Sequence, residues 1–188
     1  GTLADNINFT GIYTWDPTSG NPIATVISQA PPVNDGIFVA MPQRQIIAWG
    51  STFTGIQDPL LLRWCDVNNY NSWIAQITNQ AGSFRLPKGS KIVGCIQGPQ
   101  QALVWTDLAC WSMQYVGQPY VYQFTPLTRS QGIPYPKCAI NTPEGLFWLG
   151  NDFMVYNVPP FYWYSKIDPV GMAVQRTLHK DMADPTVS

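Results

Sequence analysis

The chain has 188 residues, 45% of them hydrophobic and 13% aromatic, but only 11% charged, with a formal net charge of −1. An average soluble domain is about 25% charged, and helical surfaces draw on Glu and Lys, of which this chain has one (Glu144) and five. Helical bundles are therefore excluded. So are a disordered chain, by eight Trp, nine Tyr and eight Phe, and a domain-wide basic field that would recruit nucleic acid.

Short β-branched and aromatic runs bounded by Gly, Pro, Asn or Asp dominate the chain. In order they predict strands over Gly11–Trp15, Ile23–Ser28, Gly36–Met41, Gln45–Gly50, Leu60–Cys65, Lys91–Gln97, Ala102–Asp107, Cys110–Tyr115, Tyr120–Thr125, Leu146–Gly150 and Phe153–Tyr156. Asn68–Gln76 has room for a single helical turn, and Val174–Met182 reads as helix or a further strand. Two long irregular regions are expected, Asp66–Ser90 and Pro126–Lys137. Loops of that length are usually functional or pressed against a partner.

A weak repeat organises these strands. Ile37-Phe38-Val39-Ala40-Met41 precedes Gln45-Ile46-Ile47-Ala48-Trp49. Ile92-Val93-Gly94-Cys95-Ile96 precedes Gln101-Ala102-Leu103-Val104-Trp105, and Cys138-Ala139-Ile140-Asn141 precedes Gly145-Leu146-Phe147-Trp148. Each unit is a strand, a polar turn and an apolar strand ending in Trp. Units of roughly 40–50 residues with four strands suit propeller blades, whose faces are buried only by stacking on neighbours. The expected fold is all-β: propeller-like repeats of short antiparallel sheets, a partial propeller of about three blades. The units fall at about residues 30–66, 90–126 and 137–165 of a single domain spanning 1–188. A β-sandwich of meanders is the alternative. A chain that starts at Gly1 and ends at Asp184-Pro185-Thr186-Val187-Ser188 is expected to be a processed product or a fragment.

Little chemistry is encoded. Cys65, Cys95, Cys110 and Cys138 lack the C-x₂-C spacing of zinc sites and lie in apolar runs, so buried free thiols are expected. The single histidine, His179, has no nucleophile elbow beside it, and no phosphate-binding glycine loop occurs. No cofactor and no metal are expected. Asp58, Asp66, Asp107 and Asp152 fall at strand ends. Propeller glycosidases place catalytic carboxylates at such positions, but turn formation accounts for the same residues and is preferred. Of the basic residues Arg63, Arg85, Lys88, Lys91 and Arg129, the cluster Arg85, Lys88 and Lys91 beside Phe84 has the composition to meet a phosphate backbone. The plainer account, a solvated or interface loop, is preferred. The run Phe161, Tyr162, Trp163 and Tyr164 reads as a packing or inter-subunit anchor ahead of a carbohydrate-stacking platform.

Several strings together resemble a family. They are Asp58-Pro59-Leu60-Leu61-Leu62-Arg63-Trp64-Cys65-Asp66, Asn79-Gln80-Ala81-Gly82-Ser83-Phe84-Arg85-Leu86 and Gly89-Ser90-Lys91-Ile92-Val93, followed by Ala102-Leu103-Val104-Trp105-Thr106-Asp107 and Ser112-Met113-Gln114-Tyr115-Val116-Gly117. Over roughly residues 30–160 the chain resembles tail-associated structural proteins of tailed bacteriophages, the packaged-DNA stabilisation, tail-hub or nozzle proteins of short-tailed phages. The resemblance implies a non-enzymatic virion component built on a β-propeller, made in the host cytoplasm and located in the tail. It implies a homo-oligomer, commonly a ring of six, that closes the DNA channel against portal and adaptor and carries a tail fibre or needle. It implies transient non-specific contact with genomic DNA and none with a membrane. Arg85, Lys88, Arg129, Phe161, Tyr162 and Trp163 are the expected interface or channel residues. The family's members are longer than this chain.

Overall fold

The structure, a computed structural model, describes residues 11–20, 23–98, 101–127, 132–158 and the strand backbone at 168–169. The predicted Val174–Met182 element, His179, Arg129 and the Phe161–Tyr164 cluster lie outside these residues. All the described regular structure is β. Among the described residues no helix is long and apolar enough to cross a membrane. The chain divides into two compact units, Gly1–Leu86 and Pro87–Ser188.

In the first unit, β1 (Tyr13–Thr14) and β2 (Thr25–Val26) form a small hairpin. Then come β3 (Gly36–Ala40), β4 (Gln45–Trp49), β5 (Thr52–Phe53), β6 (Ile56–Gln57), β7 (Leu61–Trp64) and β8 (Gly82–Arg85). Strands β3-β4-β7-β8 make a four-stranded antiparallel meander, and β5-β6 is a separate hairpin inserted in it. That insert follows from Thr54-Gly55. Both residues have positive φ, 51° and 85°, the two-residue turn that matches strand twist and that Gly tolerates without cost.

The second unit holds two further meanders. Strands β9 (Ile92–Gln97), β10 (Ala102–Thr106), β11 (Cys110–Gly117) and β12 (Val121–Pro126) form one four-stranded antiparallel sheet. Strands β13 (Ala139–Thr142), β14 (Gly145–Leu149), β15 (Val155–Val158) and β16 (Asp168–Pro169) form the other. The three predicted repeat units thus correspond to three four-stranded meanders, the first of which runs on past residue 66 to Arg85.

Each predicted strand contains or overlaps an observed one. The predicted irregular region 66–90 is corrected: it contains β8, which pairs with β7 from Leu61↔Arg85 to Trp64↔Gly82. Its composition hides it, because Gly82-Ser83-Phe84-Arg85 is an exposed edge with one aromatic and no β-branched residue. Asn68–Gln76 forms turns and no helical turn. The Asp66 carboxylate accepts the Val67 and Gln80 amides, each at 2.8 Å, and draws the chain into a loop. The last predicted strand lies two residues late, at β15, because Asp152 caps a turn there. Its Oδ1 accepts the Met154 amide at 3.1 Å, and Phe153 takes a positive φ of 57°.

The Trp residues that end the repeat strands stand opposite small residues. The pairs are Gly36↔Trp49, Gly94↔Trp105 and Ala139↔Trp148, with Gly82↔Trp64 as a fourth. A Cβ at Gly36 would lie 2.1 Å from the Trp49 ring, and one at Gly82 2.8 Å from Trp64, so those rings occupy the missing side chains' space. In the second unit Trp105 and Trp148 meet with ring centroids 5.7 Å apart, and Tyr156 stacks on Trp148 at 5.5 Å. Leu103, Cys110, Ile133, Leu146 and Val158 complete this core, which joins the two sheets. The first unit has its own cluster, Ile12, Ile27, Ala30, Ala48, Cys65 and Trp73, where the β1-β2 hairpin packs on the meander.

Candidate binding surfaces

The acidic residues at strand ends are each bonded to backbone amides, some in their own turns and some in other loops. Asp58 accepts the Leu60 amide at 3.0 Å and pairs with Arg85 through Nε–Oδ2 at 2.6 Å. Asp66 holds the two amides described above. Asp107 accepts the Ser90 amide (2.7 Å) and hydroxyl (2.6 Å), with the Lys91 amide at 3.4 Å. Burial pushes the Asp107 carboxyl up, but these donors outweigh it and hold the group below its ordinary 3.8. Asp152 accepts the Tyr156 hydroxyl at 2.5 Å as well as the Met154 amide. Partial burial, that hydrogen bond and the nearby carboxylate charge push Tyr156 up to about 12.

Of the expected interface residues, Arg85 and Lys88 are described. Arg85 ends the edge strand β8, with its charge compensated by Asp58. Lys88 is exposed in the loop that Asp107 clasps. Arg85 belongs to the first unit, and Lys88 and Lys91 to the second. Among the described residues no group of three His, Cys, Asp or Glu side chains is placed to hold a metal ion.

The structure shows one recess that the sequence reading missed. It lies in the first unit, has a volume of about 310 Å³, and is lined by Phe53, Arg63, Trp73, Ile74, Ala75, Gly82 and Ser83. Strand β7 supplies Arg63 at the register row Ala48–Arg63–Ser83. The guanidinium donates from Nη1 to the Thr52 carbonyl (3.0 Å) and from Nη2 to the Trp73 carbonyl (3.3 Å), and lies 5.5 Å from the Phe53 ring centroid. Its Nε is buried without an acceptor, and burial lowers its pKa. The available signal was a single cation inside the apolar run Leu60-Leu61-Leu62-Arg63-Trp64-Cys65. A charge in such a run must find polar partners or a ligand.

No protein-family model matches the chain, and no curated protein matches it.

Proposed function

We propose that this chain is a structural component of a bacteriophage tail or head–tail connector, of the tail-hub or nozzle kind, built as part of a β-propeller. The observation that carries the reading is the succession of three four-stranded antiparallel meanders in chain order. Blades of this kind are insufficient alone and bury their faces against neighbours. The Trp105–Trp148 contact between successive meanders of the second unit supports the reading. The resemblance of the strings between residues 58 and 117 to tail proteins supplies the viral part of the reading.

The mechanism is mechanical. Packed sheets make a stiff body, and exposed apolar side chains such as Ile56 and Ile77 offer surface for neighbouring subunits. A low density of fixed charge lets DNA slide, because each Lys or Arg contact to phosphate strengthens binding. In this role Arg85, Lys88 and Arg129 face the channel or a neighbour, and Phe161, Tyr162 and Trp163 anchor one. A glycan-binding or glycan-cleaving propeller remains the rival reading. It requires Asp58, Asp66 or Asp107 to converge with aromatics in a pocket, and the recess at Arg63 is lined by none of these three.

Assembly tests the proposal. Sedimentation velocity over a concentration series should show self-association into a ring, and portal and terminase genes should flank the coding sequence. A strictly monomeric species at high concentration, in a neighbourhood lacking such genes, overturns it.

A further inference from the structure

The hydrogen-bonding capacity of the Arg63 guanidinium at the recess is only partly used. Arginine presents five N–H donors and stays charged in proteins. Two bonds to carbonyls are made, to Thr52 and Trp73. Three donors remain: Nε–H, and one N–H on each of Nη1 and Nη2. No carboxylate among the described residues pairs with Arg63, whereas Arg85, on the neighbouring strand, has Asp58. A half-buried cation held only by neutral carbonyls and a phenyl face is incompletely compensated.

The walls narrow the partner. Trp73 is buried at the recess, while Phe53 and Ile74 stand 51% and 57% exposed around it. Ile56, opposite Phe53 in the β5-β6 hairpin, and Ile77, three residues beyond Ile74, are exposed as well. A volume of about 310 Å³ is at the small end of pockets that engulf a ligand, which run to about 1,000 Å³. An occupant that covers the rim as well as the cation must be larger than a small anion. Gly82 and Ser83 keep the β8 side of the recess low.

We propose that this recess is a docking socket for a partner protein's peptide segment in which an acidic side chain sits beside apolar residues. The carboxylate takes the free Nη hydrogens of Arg63 in a charge-assisted pair, and the flanking apolar groups cover Phe53 and Ile74. The inference stands on first-unit geometry and does not depend on the tail reading.

The test is an NMR titration of the full chain with two blocked peptides, acetyl-Leu-Glu-Phe-amide and acetyl-Leu-Gln-Phe-amide, reading the Arg63 Nε–H and Trp73 indole resonances. The Glu peptide should bind at least about tenfold more tightly than the Gln peptide. Its affinity should fall with added salt. Arg63→Gln should abolish the preference. Because that variant alters a half-buried residue, Ser83→Tyr serves as a second: it blocks the recess from an exposed strand position and should abolish binding with the melting temperature unchanged. Equal affinity for the two peptides, or Glu-peptide binding that survives Ser83→Tyr, overturns the proposal. Phenylacetate binding as tightly as the Glu peptide also overturns it, because the site would then be a small-anion pocket.

Discussion

Asp107 shows how a single carboxylate organises a loop. Its two oxygens hold Ser90 and Lys91 from the loop preceding β9, while the neighbouring Thr106 hydroxyl accepts the Ala109 amide at 2.9 Å and shapes the β10-β11 turn. Gly89 is required beside it: its φ is 123°, and a Cβ there would lie 2.6 Å from Thr106. Since the folded carboxyl titrates below 3.8, its contribution is complete above that pH and is lost as pH falls below it. Asp107→Asn should therefore cost about 1 kcal/mol at pH 7, reduced by solvent screening of a half-exposed site, and less at pH 2. Urea unfolding at the two pH values measures this. Tyr156 works at the opposite end of the scale. Its folded value near 12 exceeds the ordinary 10, so its contribution is whole below pH 10 and is lost as pH rises towards 12. Absorbance titration at the tyrosinate band should show a late-ionising group that Tyr156→Phe removes.

At the scale of strands, the Trp–Gly pairs couple sequence most directly to packing. Gly36 has an ordinary backbone conformation, and what it needs is room for the Trp49 ring. Gly36→Val offers a better strand former yet should destabilise by about 1–3 kcal/mol, because the ring has to leave its site. A smaller loss than Gly36→Ala would show that strand propensity outweighs the clash; chemical denaturation of both variants decides. The meanders were legible because Ile37–Met41 with Gln45–Trp49, and its two later counterparts, keep the same strand–turn–strand–Trp order. Strand β8 was not legible. An edge strand needs pairing partners on one side only, and Ser83 and Arg85 face solvent, so neither alternation nor β-branching marks it. The turn at 68–76 was equally hidden, because the bond that decides it joins Asp66 to Gln80, fourteen residues away.

Each compact unit has a core cluster of its own among the described residues. Trp148→Ala should cost about 3–5 kcal/mol, since it opens a cavity where Trp105 and Tyr156 now pack. Hydrogen exchange should then speed in β9, β10, β14 and β15 while β4 and β7 keep their protection. Uniform loss across both units would show one cooperative core instead. The four cysteines give a parallel readout. Cys65 and Cys110 are buried, and burial pushes the Cys65 thiol up. Alkylation at these positions should be slow until global unfolding, whereas Trp148→Ala should expose Cys110 before Cys65.

The sequence by itself determined an all-β chain, the place of most strands and the threefold meander repeat, because alternation, turn residues and repeated Trp positions are local signals. It also pointed to the turn role of Asp58 and Asp152, which accept amides two residues on, but not to the reach of Asp66 to Gln80 or of Asp107 to Ser90 and Lys91. Only the tertiary structure decided that Arg85 is neutralised by Asp58, twenty-seven residues earlier, while Arg63 is not. Both are arginines in neighbouring strands, and nothing in composition separates them. Which one keeps uncompensated charge depends on strand register and on which loops return to cover it. Those long-range pairings exist only once the meander has closed around β7.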